Sequence, residues 1–135
     1  MVKLKWIDSF SVGVKEIDDD HKEIIKLMQG VQTAVEIHDY ILCTALLDQL
    51  IELAAAHFLR EEEYLAKASY PYIEEHILYH QELMLKVKAV RVICNSANME
   101  GDLEHCFNSM AEFLVDDIIA GDLQFKSYLQ SRRLV

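Results

Sequence analysis

Apolar residues recur three and four positions apart along almost the whole chain, and this helical period restricts its fold more than any other feature. The alternation typical of β-strands is absent, and the only proline, Pro71, suits the first turn of a helix. A length of 135 residues with 52% hydrophobic content suffices for one compact core. The pattern therefore predicts a single all-α domain over residues 1–135.

Four apolar stripes separated by short polar segments define the expected helices, which cover about 18–38, 41–67, 71–95 and 101–120. The run Asp18-Asp19-Asp20 supplies cap and first-turn acids for the first helix. Residues 1–17 carry Trp6 and Phe10 without helical spacing, and we expect an ordered arm packed on the bundle. Residues 122–133 should form a short C-terminal helix. Short connections favour an antiparallel up-down-up-down four-helix bundle.

Charge and motif content exclude several classes of function. Thirteen basic and twenty-three acidic residues give a formal charge of -10, the wrong sign for nucleic acid or anionic lipid. No apolar run reaches the roughly 20 residues of a membrane helix, and the first residues lack a signal peptide. The glycines form no phosphate-binding loop. We expect a cytoplasmic protein with no nucleic acid and no membrane partner.

The three cysteines are widely spaced and form no Cys-x-x-Cys pair. Free cysteine is commonly buried, and a redox or ligand role is the weaker alternative. We therefore predict reduced packing residues at Cys43, Cys94 and Cys106.

Ionisable residues occupy the apolar stripes, where an unpaired charge would cost several kcal/mol. They are His21, His57, Glu61, His76, His80 and Asp117. Residues four apart lie about 5 to 6 Å from each other on one helix face. His57 and Glu61 can therefore contact one common partner, and so can His76 and His80. The convergence of these groups predicts a buried metal site, with an ion-paired polar core as the alternative.

The ligand types restrict the metal. No thiolate is in register with the cluster, which argues against a Cys-rich structural zinc site. Imidazole with carboxylate suits iron better than manganese or zinc. Four imidazoles with two or three carboxylates make up to seven ligands, which exceeds what one ion accepts and implies two ions with bridging carboxylates. Two further histidines, His38 and His105, fall away from the level of the cluster, and we predict surface or capping roles for them.

At this point the sequence resembles the hemerythrin family, specifically its single-domain bacterial members, over nearly the whole chain. Residues 57–62, HFLREE, match the His-Phe-x-x-Glu-Glu signature of the family. The pair Tyr70-Pro71 precedes His76 and His80 as in the family, and Ile118 and Asp122 stand where its last segment places them.

The resemblance implies a non-haem di-iron centre. His76 and His80 would bind one iron and His21 and His57 the other. Glu61 and Asp122 would bridge the two ions together with an oxo or hydroxo group. The iron of His21 and His57 would keep an open position for dioxygen. The resemblance also implies an apolar lining that keeps this position dry, formed by Ile24, Phe58, Leu114 and Ile118.

Three positions depart from the family pattern. Asp117 stands where the family has a third histidine, Phe113 where a Trp is common, and Leu83 where a Phe is common, which implies a roomier pocket. Asp117 and Asp122 are about 140° apart on an ideal helix, so both reach one site only if the helix is widened or broken, as Gly121 permits. Asp117 is a candidate ligand; hydrogen bonding to a histidine or a water is the alternative.

Dioxygen binding for storage, delivery or sensing is the leading hypothesis, by a protein that we expect to be a non-enzymatic monomer. A di-iron enzyme or scavenger acting on peroxide, oxygen or nitric oxide is the second. A direct bond from Asp117 would favour ferric iron and make reversible oxygen carriage less secure, because the added negative charge stabilises the higher oxidation state. If Asp117 does not reach the metal, the His76 and His80 iron also has an open position, which suits the second hypothesis. A metal-free signalling or phosphotransfer bundle is the third, and it would present one exposed histidine.

Overall fold

Helices dominate the described part of the chain, which the computed structural model gives as residues 5–94, 104–105, 107–112 and 122–134. A 3-10 turn at Asp8–Phe10 precedes the first three helices, α1 (Lys15–Glu36), α2 (Tyr40–Lys67) and α3 (Ile73–Cys94). Helical residues 104–105 and 107–112 form a segment that we call α4, and α5 covers Asp122–Ser131. No residue in the described ranges belongs to a strand, which agrees with the all-α prediction.

Two helix starts differ from the sequence prediction. The prediction that the run Asp18-Asp19-Asp20 supplies the cap of the first helix is wrong, because α1 begins at Lys15 with Val14 as its N-cap residue, whereas Asp18 is a first-turn acid as predicted. Asp18 and Asp20 meet partners outside the helix, and Asp19 pairs with Lys15 within it. Pro71 lies in the turn before α3 rather than in its first helical turn.

Tight turns end α1 and α2, each through a residue in the left-handed conformation. Ser69 has a φ of 57°, its N–H donates to the Ala66 carbonyl at 3.1 Å, and the Tyr70 N–H donates to the Leu65 carbonyl at 3.0 Å. This pattern is the Schellman motif, which satisfies the last carbonyls of a helix. His38, with a φ of 59°, ends α1 in the same way. The turns bring α2 against both α1 and α3.

Two apolar clusters enclose a polar layer. The first, which we call the main core, joins α1, α2, α3 and α4 and includes Ile24, Met28, Leu50, Phe58, Leu83 and Met110. The second, which we call the end cluster, joins the N-terminal arm, the α2–α3 turn and α5 through Val12, Ile17, Leu65, Tyr70, Phe125 and Leu129. Trp6 and Phe10 pack against the main core, so the described part of the arm, from residue 5 onwards, contacts the helices.

Among the described helices, α2 is the one whose length and composition would suffice to cross a membrane. A core helix of a soluble protein passes the same test, and α2 contributes Leu47, Leu50 and Leu65 to the protein interior. Cys43 and Cys94 are free and buried, as predicted. Cys106 lies outside the described residues.

Candidate metal centre

Four imidazole rings surround the carboxylate of Glu61, which is 0% exposed. Its Oε1 contacts the Nε2 of His76 and lies 3.2 Å from the Nε2 of His80. Its Oε2 lies 3.0 Å from the Nε2 of His57 and 3.4 Å from the Nε2 of His21. Each ring is at most 3% exposed. All four histidines therefore present the same nitrogen to one buried carboxylate.

Helical spacing produces this layer. On α2, His57 and Glu61 are four residues apart, with Ala54 of the main core on one side and Leu65 of the end cluster on the other. On α3, His76 and His80 are again four apart, and His21 completes the layer from α1. The ionisable groups thus lie on the stripes that otherwise carry apolar residues, as the sequence predicts.

Two opposing effects act on the pKa of the Glu61 carboxyl group. Burial opposes ionisation because it removes water from the charge, but imidazole N–H groups that donate to the carboxylate favour the charged form. Their combined effect is larger and holds the pKa of Glu61 well below its ordinary value. A buried negative charge at the centre of four imidazoles is an arrangement that a cation would stabilise.

The donor set fits a metal better than a hydrogen-bonded polar core, and His57 shows why. Its Nδ1 lies 3.0 Å from the Oδ2 of Asp20, an acceptor, so Nδ1 carries the hydrogen. In the neutral ring, the Nε2 lone pair then faces the Oε2 of Glu61, 3.0 Å away. Within the described ranges, that oxygen receives no hydrogen bond of standard geometry. A cation between the two lone pairs would satisfy both atoms.

Five of the predicted ligands meet in this layer, and they form two overlapping groups. His21, His57 and Glu61 offer ligand atoms within 4.8 Å of one another, and so do Glu61, His76 and His80. Asp117 lies outside the described residues. Asp122 is the first residue of α5, and its side chain lies outside the described part of the structure.

An apolar cavity of about 10 Å³ adjoins the polar layer on the side of the main core. Of the predicted pocket residues, Ile24, Phe58 and Leu83 are buried in its wall, whereas Phe113, Leu114 and Ile118 lie outside the described residues. The other wall residues are Met28, Leu50, Ala54, Val87 and Met110. None of these side chains would hold a water molecule by hydrogen bonding.

The remaining polar groups near the layer were assigned partly correctly from sequence. Glu63 is exposed and Glu62 is half-buried, and the two histidines outside the layer, His38 and His105, are exposed as predicted. The sequence analysis did not find that Asp20 contacts His57, or that Arg60 in turn contacts Asp20. Asp20 directly precedes His21 and Arg60 follows His57 by three residues, so proximity to ligand positions was the available signal.

Comparison with known proteins agrees with this geometry. A family model described as the hemerythrin HHE cation binding domain matches residues 12–120. Myohemerythrin of Sipunculus nudus is 30% identical over 124 residues, which are 92% of each chain. Myohemerythrin of Theromyzon tessulatum is 26% identical over 125 residues, 93% of this chain and 92% of that one.

A bacterial relative, bacteriohemerythrin of Stenotrophomonas maltophilia strain R551-3, is 26% identical over 92 residues, 68% of this chain. The matched part spans 60% of that longer protein. The family match at residues 12–120 covers well over half of the chain and includes the whole buried histidine layer. This chain therefore belongs to the hemerythrin family, whose domain binds two iron ions.

Proposed function

We propose that the protein binds dioxygen at its di-iron centre, for storage, delivery or sensing. The observation that carries this proposal is the apolar cavity beside the histidine layer. Its volume of about 10 Å³ suits a molecule of very few atoms, and the wall residues that the structure describes offer no polar partner to water or to an ionic substrate. A small apolar gas is the ligand that such a cavity accepts best.

The same proposal assigns the iron ligands. His76 and His80 would hold one ion and His21 and His57 the other, because these pairs face opposite oxygens of Glu61. Glu61 would be a ligand shared by both ions. Asp122 is the second proposed bridge and Asp117 a further proposed ligand or hydrogen-bonding residue.

The chemistry divides between the ions and the protein. The iron pair supplies electrons and an open coordination position when bound. Ile24, Phe58 and Leu83 follow His21, His57 and His80 by three, one and three residues, so they place apolar surface beside the proposed ligands. The role of these three side chains is to keep water out of the site where the gas binds. We further propose a cytoplasmic monomer with an up-down-up-down arrangement of the four long helices.

Absorption spectroscopy after anaerobic reduction tests the proposal. Addition of oxygen should produce a charge-transfer band in the iron-loaded protein, and removal of oxygen should abolish it. Rapid oxidation to the diferric state without that band would refute reversible binding. Leu83→Trp, whose side chain is larger than the Phe common in the family at this position and overfills the cavity, should weaken or slow oxygen binding without loss of iron. Leu85→Trp is the matched control, because Leu85 is 69% exposed on the same helix.

A second candidate, an enzyme or scavenger that reduces peroxide, oxygen or nitric oxide, is favoured by one observation. An open groove of about 400 Å³ between α2 and α3 reaches His80 and contains Glu62 and Lys88. The Oε2 of Glu62 lies 3.6 Å from the Nδ1 of His80, so the groove offers polar groups that can exchange protons with solvent. Steady-state consumption of these substrates with a reductant would support this candidate over gas carriage.

A further inference from the structure

We infer that Asp20, held in place by Arg60, is a positioning residue for His57 and strengthens iron binding on the His21–His57 side of the centre. The inference rests on the proposed ligand role of His57. It concerns residues outside the ligand set, and it predicts that the two halves of the centre respond differently to substitution.

The first step is the geometry around Asp20. Its Oδ2 lies 3.0 Å from the Nδ1 of His57, on α2. Arg60 binds the same carboxylate through two hydrogen bonds: its Nε donates to Oδ2 at 3.0 Å and its Nη2 donates to Oδ1 at 2.9 Å. Such a two-point contact fixes the plane of a carboxylate as well as its position. Arg60 therefore determines where the Asp20 oxygen that meets His57 is held.

The second step is the effect on the ring. Because Asp20 accepts the hydrogen of Nδ1, the lone pair of His57 is directed to Nε2 and hence towards Glu61. The hydrogen bond also sets the rotation of the ring, and the negative charge makes Nε2 a better electron donor. His57 is 1% exposed, so water does not compete with Asp20 for this hydrogen.

The third step is the contrast with His80 in the other half. Among the described residues, the carboxylate oxygen nearest to its Nδ1 belongs to Glu62 and is 3.6 Å away, which is beyond hydrogen-bond distance. Its ring is instead stacked on Phe58, with centroids 4.0 Å apart and planes 10° apart. Packing restrains His80, whereas a clamped carboxylate restrains His57. Loss of Asp20 should therefore weaken one ion more than the other.

Substitution of Asp20 tests the inference in the full chain by anaerobic titration with Fe²⁺ against a competing chelator. Asp20→Ala should leave one ion bound as in the wild type and weaken the second about 10- to 100-fold, the usual effect of losing such a partner. Asp20→Asn keeps an acceptor oxygen without its charge, so it should recover part of the affinity. It should also raise the midpoint potential of the iron pair, which a purely structural role of Asp20 would not do.

The control is Asp48→Ala. Asp48 on α2 also binds an arginine of a neighbouring helix, with Arg91 Nε 2.6 Å from its Oδ1, but within the described ranges it contacts no histidine. Far-UV circular dichroism verifies that each variant is folded. If Asp20→Ala does not fold, the nearly isosteric Asp20→Asn provides the test instead. Wild-type affinity for both ions in the Asp20 variants, or equal weakening by Asp48→Ala, overturns the inference. Failure of the wild type to bind iron would instead overturn the proposed function.

Discussion

Truncation of Leu83 should be strongly destabilising, because this residue is 1% exposed in the wall of the apolar cavity. Leu83→Ala removes three carbon groups, which at about 0.8 kcal/mol each amounts to about 2.4 kcal/mol of lost transfer free energy. The new void joins an existing cavity whose walls come from several helices, so it collapses only in part. That raises the expected loss of unfolding free energy to about 3–4 kcal/mol, within the range of buried leucine truncations.

Urea unfolding of iron-loaded protein, followed by far-UV circular dichroism at equal iron content, measures this loss. Leu85→Ala is the control two residues further along α3, where the side chain is 69% exposed, and it should change stability by less than about 0.5 kcal/mol. A cost below about 1 kcal/mol for Leu83→Ala, or equal costs for the two variants, would show that the cavity wall is not packed as described.

Three further predictions concern the arm, the α2–α3 turn and the thiols. Asp18→Ala should cost about 1–3 kcal/mol in urea unfolding, because it strands the buried Val12 N–H that donates to Asp18 at 2.8 Å; Asp19→Ala, at an exposed neighbour, should have no measurable effect. Ser69→Gly should stabilise the protein by about 0.5–1 kcal/mol in thermal unfolding, because a φ of 57° strains any residue with a Cβ; a loss of stability would contradict this. Burial raises the pKa of the Cys43 thiol, so peptide mapping after maleimide treatment at pH 8 should find Cys43 unmodified until the protein is unfolded; rapid labelling of the native protein would contradict its burial.

The level of the polar layer could be predicted from sequence because it depends on local geometry. A residue four positions from another on a helix must lie on the same face, so His57 with Glu61 and His76 with His80 follow from the helical period alone. The inward direction of these faces follows from the apolar residues around them. Of the three consecutive glutamates at positions 61–63, Glu61 alone is in register with this face, and it alone is fully buried.

The contact of Asp20 with Arg60 could not be predicted in this way. It depends on how far α1 is rotated relative to α2, which the packing of the whole layer decides and no single-helix period encodes. The start of α1 was misplaced for a related reason. Val14 carries no capping side chain, so the nearby acids offered a stronger but false signal for the helix start.

The two halves of the centre also differ in how far apart their ligands lie along the chain. Glu61 meets His76 and His80 across 15 and 19 residues, within two consecutive helices and one short connection. For Glu61 to contact His21, a loop about twice that length must close. The entropy cost of closing a loop rises with its length. Under the proposed ligand assignment, we therefore expect a small bias in the order of assembly, about 0.6 kcal/mol per doubling of the loop, with the segment of α2 and α3 acquiring its iron before the N-terminal helix docks.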